Sequence, residues 1–140
     1  MIVVDTSLVV KLFREEQNSD LAERVFAEPR NKVAAPDLMA IEVVAALVRN
    51  ANMAKPSRPF VEASLAEFGE MLRDGTITLY RATAKNLTAA ATLALDLGHP
   101  LKDCIYLSLA MELGCDLVTC DARFAAKAKG VWAGVRVLGD

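Results

Sequence analysis

The chain has 140 residues, one domain's length, and its 54% hydrophobic against 24% charged residues argue for one buried core over residues 1–140 rather than disorder. No apolar run reaches the ~18 residues of a membrane span, and Met1–Asp5 lacks the basic region and long apolar stretch of a secretory leader. Its net charge of −2, from 18 acidic and 16 basic residues, argues against bulk electrostatic binding of nucleic acid, so any such contact has to be local.

Met1 to Val4 is an apolar, largely β-branched run stopping at Asp5, as in a buried strand. Ser7 to Arg14 reads as a short helix with Leu8, Val9, Leu12 and Phe13 on its apolar face. A second helix opens at Ser19 and runs through Glu28 to the stop at Pro29. Lys32 to Ala35 is a short strand. Pro36 and Asp37 then start a long helix to about Met53, with Leu38, Ile41, Ala45 and Val48 at helical spacing.

After the break at Lys55–Ser57, a fourth helix is predicted from about Pro59 to Leu72, ended by Asp74-Gly75, and Thr76 to Tyr80 is a strand. Ala84–Leu97 and Lys102–Leu113 are helices closed by Gly98 and Gly114. Asp116–Thr119 reads as a strand, Ala122–Lys129 as a short helix and Val135–Leu138 as a last strand. Strands alternating with helices predict a single α/β domain built on a mostly parallel sheet. Cys104, Cys115 and Cys120, odd in number and without metal-finger spacing, read as packed thiols of a reducing compartment, hence a cytoplasmic protein.

Sites in such folds lie beyond the carboxyl ends of the strands, near the point where strand order reverses. Asp5 directly follows the first strand, and Asp121 follows the Asp116–Thr119 strand after one residue, so both are expected on that edge. Asp116 begins its strand and belongs to the opposite edge. Asp103 falls in the first turn of its helix. Glu42 has Leu38, Met39, Ala45 and Ala46 as helical neighbours, and a carboxylate on such a face needs a partner. Taken singly, Asp5, Asp103 and Asp121 also fit helix caps or first-turn acids, and Glu42 also fits a pair with a distant arginine. Together they fit an oxygen-rich cation site for Mg²⁺ or Mn²⁺. Four carboxylates so crowded are expected to raise one another's pKa when no metal is bound.

Four segments, IVVDTS (2–7), PDLMAIEVVAAL (36–47), KDCIYLSLA (102–110) and LVTCDARF (117–124), resemble the PIN-domain family, and within it the VapC-type toxins, in order and over nearly the whole chain. The resemblance implies a five-stranded, mostly parallel sheet with helices on both faces. It also implies Mg²⁺- or Mn²⁺-dependent cleavage of RNA, a VapB-type antitoxin partner whose tail blocks the acidic pocket, and a homodimer. On this reading Asp5 and Asp103 bind the main cation directly, while Glu42 and Asp121 complete the cluster directly or through water. Such metal chemistry needs no histidine base.

Ser7 and Thr119 offer hydroxyls that orient a carboxylate or a metal-bound water, or else close a cap or turn. His99 reads as an exposed loop residue, and Cys104 and Cys120 as packing. Lys11, Arg14, Arg123 and Lys127 read as solvated helix surface in preference to phosphate contacts. Phe13, Val25, Phe26, Phe60 and Phe68 divide between core and a surface for a partner helix.

Other readings compete. A nuclease of the same chemistry acting in RNA processing or on structured nucleic acid, without an antitoxin, shares every residue named. Phosphoryl transfer through an aspartyl phosphate usually wants a second Asp two residues after the first, where Ser7 stands. A phospho-receiver wants an acid after a mid-chain strand, where Arg81, Ala82 and Thr83 stand. A non-catalytic module would be expected to have lost at least one of the four acids.

Overall fold

A computed structural model describes all 140 residues. Five strands, β1 (Ile2–Val4), β2 (Val33–Pro36), β3 (Ile77–Tyr80), β4 (Asp116–Thr119) and β5 (Val135–Val137), form one sheet in the order β3-β2-β1-β4-β5. All four pairings are parallel. The chain leaves central β1 toward β2 and β3, then returns to build β4 and β5 on its other side. Order therefore reverses between β1 and β4, where Val3 lies level with Leu117 and Val4 with Val118. Successive residues of β1 and β2 are buried, so both faces of the sheet centre are covered.

Seven helices pack around the sheet: α1 (Thr6–Val10), α2 (Ser19–Ala27), α3 (Leu38–Ala54), α4 (Arg58–Arg73), α5 (Ala84–Leu97), α6 (Leu101–Leu113) and α7 (Ala122–Ala128). Their ends follow local chemistry. Ser57 caps α4, Thr83 and Asn86 form a reciprocal capping box on α5, and Gly98 and Gly114 end α5 and α6 at φ 58° and 64°, where a side chain would be strained. No helix is long and apolar enough to cross a membrane.

Two expectations change. The first helix stops at Val10 rather than Arg14, because Leu12 and Phe13 donate to Val9 and Val10 in tight turns. In α3 the buried positions are Met39, Val43, Ala46 and Leu47, whereas Ile41 is 76% exposed and Ala45 and Val48 are also exposed. The helix is apolar nearly all round, so periodicity does not select a face. Phe13 and Phe68 meet edge to face in the core at 6.2 Å, while Phe60 stays exposed. Val25 and Phe26 are partly buried against the same core.

Candidate active site

Asp5 leaves β1 and caps α1. Its Oδ1 accepts from Ser7 Oγ at 2.6 Å and from the Leu8 amide at 3.2 Å, and its Oδ2 accepts from Thr119 Oγ1 at 2.5 Å. The hydroxyl of buried Thr119 also accepts from the Asp121 amide at 3.0 Å, so one residue at the end of β4 holds the acids of two adjacent strands. Burial pushes the Asp5 carboxyl above its ordinary pKa, and the hydrogen bonds from Ser7 and Thr119 oppose this. The main cause is thus desolvation, where crowding of like charges was expected.

Asp121 caps α7 by accepting from the Phe124 amide at 2.9 Å, and its side chain is exposed. Asp103, in the first turn of α6, meets His99 Nε2 at 2.7 Å through its Oδ2. Three of the four acids therefore occupy helix N-termini, and for Asp5 and Asp121 the cap and the shared edge coexist. Asp116, excluded above, sits level with Ile2 at the opposite edge and pairs with Arg136.

Glu42 reaches inward from α3, 14% exposed. Tyr106 OH donates to its Oε1 at 2.6 Å, and Thr6 Oγ1 lies 3.0 Å from that oxygen and 2.7 Å from the Tyr106 oxygen. Burial and the Glu42 hydrogen bond push the Tyr106 phenol well above its usual pKa, so it keeps its proton and donates a hydrogen bond to Glu42. The partner of Glu42 is a lysine rather than an arginine: Lys102 Nζ lies 3.0 Å from Oε2. The Glu42 hydrogen bond raises the Lys102 pKa despite partial desolvation, and the charges of Glu42, Asp103 and Asp5 add to the rise. The ammonium thus lies in the field of three of the acids.

Read from the chain alone, His99 is an exposed loop residue; in the fold its side chain is 10% exposed and its ring packs on Phe124 with centroids 4.6 Å apart. One ligand atom each of His99, Asp103 and Asp121 lie within 4.8 Å of one another, and this donor set suits a divalent cation. Thr6, Lys102 and Tyr106 are likewise brought to Glu42 only by the fold. A tyrosine in an otherwise apolar helix stretch was the available signal, since a buried phenol needs a partner.

Among the basic candidates, Lys11 is neither solvated nor free, being bound to Glu16 at 3.1 Å and to the Gln17 carbonyl at 2.9 Å. Arg14 also faces Glu16, Lys127 donates to the Gly98 carbonyl at 3.1 Å, and Arg123 is exposed. Cys104 is buried and Cys120 partly so, and burial pushes both thiols up in pKa, away from reactive thiolate.

The model of the PIN domain matches residues 2–130. Ribonuclease VapC3 of Pyrobaculum aerophilum is 29% identical over 126 residues, covering 90% of this chain and 93% of that protein. A toxin–antitoxin complex from Klebsiella pneumoniae contains a chain of the same fold, with a TM-score of 0.69 at 17% identity over 97% of this chain and 96% of its own. Mycobacterium tuberculosis VapC20, a toxin that cleaves the sarcin–ricin loop, also gives a TM-score of 0.69 at 17% identity, over 90% and 94% of the two chains.

Proposed function

Because this chain belongs to the PIN-domain family, we propose that it is a divalent-cation-dependent endoribonuclease acting as the toxin of a toxin–antitoxin pair. The observation that supports this reading is the linkage of Asp5 to the Asp121 amide through Thr119 at the β1–β4 switch point, with Asp103 beside Asp121 and the charges of Glu42, Asp103 and Asp5 all acting on Lys102. A divalent cation, Mg²⁺ or Mn²⁺, would supply a water activated at neutral pH and neutralise charge on the scissile phosphate. Asp103, Asp121 and Asp5 would hold it, Asp5 being steadied by Ser7 and Thr119.

Glu42 departs from a freely available ligand. Tyr106 and Thr6 fix one oxygen and Lys102 faces the other, so its inward carboxylate would complete the cluster through water while the more exposed Lys102 approaches an RNA phosphate. Lys102 is 63% exposed and can swing toward solvent.

The relatives named as ribonuclease and as toxin–antitoxin complex support a VapB-like antitoxin as partner. So does an apolar cleft of about 480 Å³ lined by Phe13, Leu47, Met53, Phe60 and Val61, a surface suited to an amphipathic helix. Exposed Ile41, Val44 and Val48 on α3 favour association into a homodimer.

Purified protein should cut RNA with Mg²⁺ or Mn²⁺ and stop with chelator. Asp103→Asn should fold and lose cleavage. Saturating the wild type at a hundred times the metal's dissociation constant should add about 2.7 kcal/mol, a rise in Tm of roughly 6–12 °C, with little rise for Asp103→Asn. Cleavage persisting in excess chelator, free of contaminating nuclease, would sink the reading.

A further inference from the structure

We infer that His99 is a ligand of the cation site, binding through its imidazole nitrogen beside Asp103 and Asp121, and that it biases the site toward Mn²⁺ over Mg²⁺. This rests on the metal-dependent reading above and adds a residue and a metal preference to it.

The loop that carries His99 is held at both ends. Gly98 turns it out of α5 at φ 58°, and Pro100 occupies the N-cap of α6. Lys127 of α7 holds the Gly98 carbonyl at 3.1 Å. The ring then lies over Phe124, whose own amide donates to Asp121. One aromatic residue therefore positions the imidazole through its ring and a carboxylate through its backbone. The side chain is 10% exposed, and its Nε2 meets Asp103 Oδ2 at 2.7 Å.

Donor atoms around a small octahedral cation sit about 3 Å apart when adjacent and about 4 Å apart when opposite, for bonds near 2.1 Å. The 2.7 Å contact is a hydrogen bond that a cation would replace, and with one ligand atom of each of the three residues within 4.8 Å of the others, small side-chain movements would bring them to that spacing. A histidine that merely oriented Asp103 would not need its neighbour's ligand atom within the same envelope. Imidazole is a good donor for first-row transition ions, whereas Mg²⁺ keeps to oxygen and water. Replacing one oxygen position by nitrogen therefore shifts the preference toward Mn²⁺.

The chain contains a single histidine, which makes the test direct. The protein, prepared without a polyhistidine tag, is loaded with Mn²⁺ and its electron spin echo envelope recorded at natural isotope abundance and after ¹⁵N-histidine labelling. Modulation from a directly bound imidazole ¹⁴N, replaced on labelling, is expected and assigns the ligand to His99. In titrations, His99→Gln should weaken Mn²⁺ binding roughly tenfold or more while changing Mg²⁺ binding less. Bound Mn²⁺ with no imidazole modulation, or equal weakening of both ions, would overturn the His99 assignment alone. Failure of Mn²⁺ to bind would overturn the metal-dependent reading with it.

Discussion

Asp5 shows how one carboxylate ties the pocket to the stability of the fold. Burial raises its pKa above the ordinary 3.8, so the folded chain holds this proton more tightly than the unfolded chain does. The contribution is complete below the unfolded value and is lost as pH rises through the raised folded one. In chelator, wild-type stability relative to Asp5→Asn, which cannot titrate, should fall from pH 4 to pH 8 in urea denaturation. Parallel curves would show that the buried carboxyl carries no such linkage. Thr119 makes a second prediction. Its hydroxyl donates to Asp5 and accepts from the Asp121 amide, so Thr119→Val removes both bonds at nearly constant volume. A loss of about 1–3 kcal/mol is expected from the groups left unsatisfied, with Thr119→Ser recovering most of it. If Val proves as stable as Thr, the hydroxyl is not the link between the two strands.

At the scale of elements, the two edges of the sheet divide the work. The carboxyl edge carries Asp5 and Asp121, and the amino edge carries the Asp116–Arg136 pair and close packing around Gly134. There Gly134 precedes β5, and its carbonyl accepts from the Leu117 amide at 2.9 Å. A Cβ at Gly134 would stand 2.7 Å from Asp116 Oδ1 and 2.8 Å from Trp132 Nε1. The indole nitrogen already donates to the Cys115 carbonyl at 3.0 Å, and Asp116 pairs with Arg136. Gly134→Ala should therefore displace one of these groups and cost about 1–3 kcal/mol by overpacking, while RNA cleavage by the folded protein persists. A parallel loss of specific activity at temperatures where the variant remains folded would mean that the two edges are coupled. Helix α6 is the other decisive element: its first two turns carry Lys102, Asp103 and Tyr106, joining the pocket to the buried face that packs against β1, β2 and β4.

For the whole molecule, the net charge of −2 argues for few phosphate contacts, and Lys11, held by Glu16 and the Gln17 carbonyl, is not free to make one. Neutralising about three phosphates gives a log–log slope near −2 for single-stranded RNA. Binding of a catalytically inactive variant, followed by fluorescence anisotropy across a range of salt concentrations, should return that shallow slope. One several times steeper would reveal an extended basic surface on the folded chain or its dimer.

The order of strands and helices was legible in the chain because short β-branched runs, Gly and Pro stops and helical apolar spacing are local signals. The same locality placed Asp5 and Asp121 at one edge, since an acid directly after a parallel strand has only one end of the sheet to occupy. Glu42 was conspicuous as a charge among apolar helical neighbours, but its partners Thr6, Lys102 and Tyr106 come from other elements, 36 to 64 positions away. Which face α3 buries was not legible, because Ile41 and Val43 are equally apolar and only packing against α1 and α4 chooses between them. His99 was misread for the same reason. Nothing in the sequence around a loop histidine tells that Phe124 will lie beneath its ring, and that contact exists only once α7 has packed beside the start of α6.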